Sequence, residues 1–198
     1  MIRKVSVTLA AVFMTFVAVW ISVDAQHRAD TITLRKGSYI IQFNSGIGIP
    51  CRVTWKVVPE DLGKVKREPN FKFATDKDTP KPRVKSSLYT RSGYHRGHMC
   101  PAADRSATKD LMKSTFVMSN VCPMTPHLNT GSWKAVEDLE RAKAQMHGSC
   151  SIVAAPLFYP DDTTWIGRGR VAVPHAFMKW LIVPGSNVKP ELYIFENK

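Results

Sequence analysis

The chain has 198 residues, of which 44% are hydrophobic and 22% are charged. This length supports one domain with a sizeable core, and the apolar content excludes a generally disordered polymer. The formal net charge of +12 favours a polyanionic partner, with general solubility or an anionic membrane surface as alternatives.

The first 25 residues differ from the rest of the chain. Arg3 and Lys4 precede an almost uncharged run over residues 5–23. This pattern predicts an export signal over residues 1–25 and a mature periplasmic or secreted chain over residues 26–198, whose formal charge is +11. Because the run approaches the roughly 20 residues that cross a bilayer, an uncleaved anchor facing outside the cytoplasm is the alternative.

The next part of the chain predicts strands and a long loop. Residues 26–37 read as a polar entry segment, whereas β-branched and aromatic residues predict strands at 39–43 and 51–58. Residues 59–88 are rich in Lys, Pro and Asp and predict a surface loop. That loop is either a basic wall of a substrate groove or a solvated excursion.

The second half predicts one helix among further strands. An apolar run predicts a short strand at 114–119, and apolar residues every three or four positions predict a helix over 129–146. Asn129 or Thr130 would cap its start, and Gly148 lies just past its end. Later strands are predicted at 151–158, 170–173, 177–183 and 191–195. These elements predict an α+β fold with a mainly antiparallel sheet, in one domain.

The chain has an even number of cysteines, which permits two disulfides in any of three pairings. They are Cys51, Cys100, Cys122 and Cys150. Buried free thiols are the alternative. Because no two of them lie two to four residues apart, the usual spacing of a structural zinc site is missing.

The segment from His95 to Pro101 brings together groups that phosphodiester hydrolysis requires. His98 titrates near neutral pH and is a candidate general base. Gly97 lets the backbone pass close to a ligand. Arg96 can donate forked hydrogen bonds to phosphate oxygens.

Asn129 and Glu137 are candidates for holding a cation. The amide oxygen of Asn129 suits a hard cation such as Mg²⁺, which normally keeps several waters. On one continuous helix, Glu137 would lie about 80° around the axis from Asn129, so that its carboxylate could hold a metal-bound water. The simpler roles are a helix cap for Asn129 and an exposed carboxylate for Glu137, and Trp133 between them is a core anchor.

Three ordered blocks resemble the sugar-non-specific DNA/RNA endonucleases, the His-Me finger nucleases with a ββα-metal fold. The blocks are residues 95–104, Ser119-Asn120, and Leu128-Asn129-x-Gly131-x-Trp133 followed by Glu137. Weaker likenesses extend over most of the mature chain, at residues 55–56, 155–158 and 173–179.

The resemblance implies a ββα finger that carries the active site. It also implies metal-dependent cleavage of DNA and RNA without strong sequence preference, leaving a 5′-phosphate. His98 would be the general base and Asn129 the direct ligand of one Mg²⁺ ion, with Mn²⁺ or another divalent ion possible. Glu137 would hold a metal-bound water.

The resemblance further implies that Arg96 and Asn120 organise or stabilise the phosphate, and that Lys56 contacts substrate. The chain departs from the family where His95 replaces the usual Asp and Met124 a common Gln. A catalytically weakened or inactive nucleic-acid-binding homologue is therefore the alternative function. An envelope-associated protein attached through residues 5–23 would be a third, and oligomeric state is left open.

Overall fold

The structure is a computed structural model that describes residues 2–5, 30–159, 163–185 and 187–198. Most of the predicted export signal therefore lies outside the described residues, and its cleavage stays a prediction. Within the described residues, no helix is long and apolar enough to cross a membrane.

Among the described residues, seven strands form one sheet in which all neighbouring strands are antiparallel. In β7 alternate side chains are buried, which is the period expected of a strand that packs one face against a core. In spatial order the strands are β1 (Ile2–Val5), β11 (Glu191–Glu196), β10 (Ala176–Ile182), β7 (Cys150–Leu157), β4 (Ile49–Val57), β3 (Tyr39–Asn44) and β2 (Thr31–Lys36).

A second, two-stranded unit carries the first sequence motif. Strand β5 (His95–His98) pairs antiparallel with β6 (Val121–Met124). Helices α2 (Pro126–Thr130) and α3 (Ser132–His147) follow β6 directly. These elements form the expected ββα finger, so the predicted fold class is confirmed.

Gly97 is required by the close packing of the two finger strands. Cys122 is its register partner, but the side chain of Met124 packs over it, and a Cβ added at Gly97 would meet the Met124 Sδ at 2.3 Å. A side chain at Gly97 would therefore force the Met124 side chain to move or push β5 away from β6.

The remaining elements are short. Helix α1 (Lys109–Ser114) is capped by the Thr108 hydroxyl, which accepts a hydrogen bond from Leu111 N at 3.2 Å. Strands β8 (Trp165–Ile166) and β9 (Val171–Ala172) form a small separate pair.

Two stretches fold differently from their prediction. Residues 26–37 were expected to be an entry segment, but Thr31–Lys36 form β2, an edge strand in which only Leu34 is buried, which explains its polar sequence. Residues 114–119 were expected to be a strand, but only Val117 makes a bridge, to Ala74. The apolar run there reflects the burial of loop side chains, which periodicity cannot separate from a strand.

The predicted helix over 129–146 is broken at its start. Gly131 separates α2 from α3. Helix α2 begins at Pro126, earlier than the predicted helix, and the Thr125 hydroxyl caps it. Asn129 therefore lies in α2, and the predicted 80° relation to Glu137 does not apply. Gly148 ends α3 in the left-handed region at φ 81°, as the sequence predicted.

The long loop over residues 59–88 is anchored to the domain at its middle. Ala74 N donates to the Phe116 carbonyl at 2.9 Å. Asp76 is buried, pairs with Lys36 at 2.8 Å and accepts a hydrogen bond from Ser119. The solvated-excursion interpretation is therefore wrong for this part of the loop.

The core lies between the sheet and α3. Trp133 is fully buried, with its ring centroid 5.6 Å from that of Phe177 and 5.2 Å from that of Phe195, so its prediction as a core anchor is confirmed. All four cysteines are free thiols, and three of them are buried.

Candidate active site

His98 ends β5, and aromatic rings enclose its side chain. The ring centroids of Phe73 and Phe116 each lie 4.7 Å from that of the imidazole. The His98 carbonyl accepts a hydrogen bond from Trp133 Nε1 at 3.2 Å, which ties β5 to the start of α3. The Nε2 atom of His98 is buried and has no hydrogen-bond partner within the described residues. A buried ring nitrogen normally has such a partner, so a water or phosphate oxygen would complete this site.

Burial lowers the pKa of His98 to about 3, and the positive charge of Arg67 contributes in the same direction. The imidazole is therefore neutral at physiological pH, which is the form that accepts a proton. A phosphate beside the ring would oppose both effects, because a negative charge stabilises the imidazolium.

The residues that cover His98 were missed in the sequence. Phe73 comes from the loop over residues 59–88, and Phe116 follows α1. Arg67 reaches the same place, with its guanidinium carbon 5.0 Å from the Phe116 ring centroid. The only available signal was the presence of aromatic residues in a loop otherwise rich in Lys and Pro.

Arg96 lies on β5 and is partly engaged by the protein. Its Nε and Nη2 donate to the Ser86 carbonyl at 3.2 and 2.7 Å, and its guanidinium carbon lies 5.7 Å from the Tyr89 ring centroid. The Nη1 atom has no hydrogen-bond partner within the described part of the chain. Arg96 is thus held in place with one edge available to an anion.

Asn120 does not reach the surface. It is fully buried, its Oδ1 accepts from Cys100 N at 3.0 Å, and its Nδ2 donates to the carbonyls of Cys100 and Thr115. Because both ends of the amide are used within the protein, the prediction that Asn120 contacts the phosphate directly is wrong. Asn120 fixes the backbone that follows His98.

Asn129 is half-buried on α2 and meets the residue that departs from the family pattern. Its Nδ2 lies 3.3 Å from His95 Nδ1. When the neutral ring carries its proton on Nε2, Nδ1 accepts from the amide, and the Asn129 Oδ1 remains available to a cation. His95 thereby supplies an acceptor at the position where the family usually has an acid.

Glu137 lies one turn after Trp133 and so on the same face of α3. Its carboxylate has no ion pair or hydrogen bond within the described residues. Burial raises the pKa of Glu137 to about 7; Lys179 and Arg141 oppose this, whereas Asp104 and Asp138 add to it. A cation beside this half-buried carboxylate would lower its pKa and stabilise its ionised form.

A layer of paired charges lies beneath Glu137. Lys179 and Glu140 are both fully buried and lie 3.1 Å apart, and Lys179 Nζ lies 4.4 Å from the Trp133 ring centroid. Asp104 is also buried and accepts from Arg141 Nη1 at 2.9 Å. Breaking such a pair typically costs about 3–5 kcal/mol, so this layer fixes α3 on the sheet.

Lys56 lies on the wrong side of the sheet for this site. It follows Trp55 in β4, and successive strand residues face opposite sides. Trp55 faces α3, because Lys179 Nζ lies 5.5 Å from its ring centroid and also contacts Trp133. The structure therefore contradicts the predicted substrate contact at Lys56.

The remaining predicted residues lie on the elements of one finger, with Arg96 and His98 on β5, Asn129 on α2 and Glu137 on α3. Trp133 links the strand of His98 to the helix of Glu137, and α2 places Asn129 against β5. Within the described residues, no group of three or more His, Cys, Asp or Glu could hold a metal ion. An amide oxygen with one carboxylate instead fits a hard cation that keeps most of its waters, as Mg²⁺ does.

Residues 20–198 match the family model described as DNA/RNA non-specific endonuclease. A nuclease from a Nostoc species is 33% identical over 165 residues, which cover 81% of this chain and 58% of that protein. Human mitochondrial endonuclease G is 32% identical over 126 residues, which cover 58% of this chain and 42% of that protein. The chain thus spans about half the length of these curated relatives.

The fold also matches a solved structure. The crystal structure of the EndoG/EndoGI complex superposes with a TM-score of 0.77 at 22% sequence identity. The match covers 84% of this chain and 74% of the other. At this identity the likeness establishes the fold.

Proposed function

The chain belongs to the DNA/RNA non-specific endonuclease family, and from that premise we propose that it is an endonuclease that hydrolyses phosphodiester bonds of DNA and RNA. The products would carry a 5′-phosphate. The observation that carries the proposal is the neutral His98, whose buried Nε2 has no hydrogen-bond partner among the described residues, on the same finger as Asn129 and Glu137.

In the proposed reaction, His98 accepts a proton from water as the water oxygen bonds to phosphorus. The bond from phosphorus to the 3′-oxygen breaks, and that oxygen takes a proton from solvent. Arg96 is held with Nη1 available, so it would stabilise the charge on the phosphate oxygens. Asn120 and Trp133 act indirectly, by fixing the backbone on either side of His98.

We propose that one divalent cation, Mg²⁺ by preference, is required. Asn129 would bind it through Oδ1, and Glu137 would accept a hydrogen bond from one of its waters. Such an ion would supply positive charge near the leaving oxygen. The support is chemical, because Asn129 offers a neutral oxygen and Glu137 a half-buried carboxylate that has no ion pair within the part of the chain that the structure describes.

The alternative, a silent nucleic-acid-binding protein, depends on the departures at His95 and Met124. The contact between His95 and Asn129 favours retained catalysis, because an acceptor for the amide is still present. Met124 packs against Gly97 and occupies no part of the proposed cation site.

We also propose that the protein acts outside the cytoplasm, which rests on the basic and apolar pattern of residues 1–25. Fractionating cells and sequencing the N-terminus of the protein would test this. A mature terminus near residue 26 in the periplasm or medium supports export, whereas a cytoplasmic protein that keeps Met1 contradicts it.

The activity is tested by incubating the purified protein with supercoiled plasmid DNA and with RNA, with Mg²⁺ or with EDTA. We expect both substrates to be cut with Mg²⁺ and neither with EDTA. Salt-sensitive binding without cleavage by any divalent ion would instead identify the silent homologue. Cleavage that persists in EDTA would refute the requirement for a divalent cation.

A further inference from the structure

A concavity lies beside the finger that carries the candidate active site. Its volume is about 250 Å³, and its walls include Tyr94, Tyr159, Val173, His175, Glu196 and Lys198. The proposed hydrolysis uses none of these side chains.

One wall of this pocket is an aromatic platform. The ring of Tyr159 stacks on His175, with centroids 5.3 Å apart and planes inclined by 23°. His175 is oriented by the backbone, because Tyr159 N donates to its Nδ1 at 3.2 Å. Tyr159 is still 39% exposed, so part of its ring surface faces solvent.

The pocket also carries polar groups suited to a nucleotide. The Tyr159 hydroxyl donates to Glu196 Oε1 at 3.2 Å, which fixes the carboxylate at the edge of the platform. A carboxylate accepts hydrogen bonds from the exocyclic amino group of a base, as in contacts to cytosine N4. Lys198 places a positive charge at the same opening.

Asn197 joins this pocket to the active site. Its Nδ2 donates to the carbonyls of Pro123 and Pro174, and its Oδ1 accepts from Thr125 N at 2.8 Å. Thr125 caps α2, the helix that carries Asn129. Tyr94, on another wall, directly precedes β5. The pocket therefore shares its framework with the proposed cation site.

We propose that this pocket binds the base of a nucleotide next to the cleaved phosphate. The base stacks on the platform of Tyr159 and His175, and Glu196 accepts from its exocyclic amino group. The inference rests on the proposed function. Stacking on aromatic rings tolerates every base, which suits an enzyme without strong sequence preference. Glu196 adds a preference for bases with an amino group over thymine and uracil, which lack one.

The test compares two substrates that differ in having bases. One is a short single-stranded oligonucleotide, and the other is bis(p-nitrophenyl) phosphate, a phosphodiester without bases. We expect Tyr159→Ala to lower the ratio of kcat/KM for the oligonucleotide to that for bis(p-nitrophenyl) phosphate by about tenfold. Tyr159→Phe retains most of the ratio, because it keeps the ring. Met146→Ala, at an exposed side chain of α3, is the matched control and should leave the ratio unchanged.

Oligonucleotides with one abasic residue complete the test. At the position whose base enters the pocket, removing the base lowers cleavage by the wild type but has little further effect in Tyr159→Ala. Glu196→Gln narrows the difference between adenine and thymine at that position. An unchanged substrate ratio in Tyr159→Ala, or an equal response to abasic residues in both proteins, would overturn the proposal.

A binding measurement separates this inference from the proposed function. If the wild type cleaves neither substrate, the function fails, and the pocket is tested with a 2-aminopurine oligonucleotide in EDTA. Stacking on the platform quenches its fluorescence, and Tyr159→Ala restores it. If the wild type binds the oligonucleotide without quenching, the pocket does not hold a base.

Discussion

The two sides of the candidate site bury an ionisable group in opposite surroundings. His98 lies between two phenylalanine rings, whereas Glu137 lies above paired charges from α3 and the sheet. Burial favours the neutral form of both groups: it lowers the pKa of His98 to about 3 and raises that of Glu137 to about 7.

The difference shows which ligand each group depends on. A general base must be neutral before it accepts a proton, and burial keeps His98 in that form, but so low a pKa also makes the imidazole a weak base. A phosphate beside the ring would supply the negative charge that raises its pKa. Glu137 must be ionised to hold a metal-bound water, so burial opposes its role. Lys179 and Arg141 lower the pKa of Glu137 but do not offset burial. A divalent cation would supply the missing positive charge.

The largest expected effect is on the histidine side. His98→Ala removes the proposed base, and we expect kcat for plasmid cleavage to fall by about 10²–10⁴-fold. His147→Ala, at an exposed histidine at the end of α3, should retain wild-type cleavage. The thermal unfolding of His98→Ala shows whether it is folded, and full activity in a folded variant would refute the assignment.

Glu137→Gln should separate activity from stability on the glutamate side. Cleavage falls because the amide carries no charge, whereas stability rises. The folded pKa is raised from 4.5 to about 7, so burying the carboxylate costs free energy above pH 7, progressively less between pH 7 and 4.5, and nothing below. Without divalent cations at pH 8, the gain should be at most about 3 kcal/mol.

Urea unfolding at pH 8 and at pH 4.5 measures this gain, which should vanish at the lower pH. Asp138→Asn, at an exposed carboxylate on the next residue, is the matched control and should not be stabilised at pH 8, because its pairing with Lys134 lowers its pKa. Equal stability of Glu137→Gln and the wild type at pH 8 would show that burial of the ionised Glu137 carboxylate does not destabilise the fold.

His95 tests whether the acceptor for Asn129 matters. His95→Ala leaves the Asn129 amide without its partner, and we expect the Mg²⁺ concentration for half-maximal cleavage to rise by about 10–100-fold. His95→Asp restores an acceptor, and the Mg²⁺ concentration for half-maximal cleavage should return to the wild-type value or below. If His95→Ala leaves the Mg²⁺ requirement unchanged, the contact does not orient Asn129.

The smallest effect concerns the aromatic cover. Phe73→Ala exposes His98, so its pKa should rise from about 3 toward the ordinary value of about 6.5. Because imidazolium cannot accept a proton, the acid limb of the pH–kcat/KM profile should move to higher pH, with little change above pH 8. Phe71→Ala removes a ring that contacts Phe116, 5.5 Å away, and is the matched control. Identical acid limbs in the two variants would show that Phe73 does not set the pKa of His98.

The sequence predicted the regular parts of the fold well. Enrichment in β-branched and aromatic residues predicted strands at 39–43 and 51–58, close to β3 and β4, and the helical spacing of apolar residues predicted most of α3. Strand β2 was missed because an edge strand with one solvated face lacks a long apolar run. The break at Gly131 was missed because Asn129 and Thr130 are residue types that cap helices, and either was taken as the start of one continuous helix.

The site was predicted only where its residues form sequence motifs. His98, Asn129 and Glu137 were predicted from family spacing and stay predictions, whereas Phe73 and the contact between His95 and Asn129 depend on packing between distant segments. His95 and Asn129 are 34 residues apart, a separation for which neither helical nor strand period carries information. Lys56 was assigned wrongly because its motif did not reveal which face of the sheet carries α3.

Locating the cation tests the proposed site most directly. Anomalous diffraction from a crystal of the protein soaked in Mn²⁺ would place it. We expect one peak at about 2.0–2.2 Å from the Asn129 side-chain oxygen, with Glu137 reaching it through a water and the His98 ring on the same side of the finger. A peak elsewhere, with Asn129 and Glu137 outside its coordination shells, would contradict the proposed site.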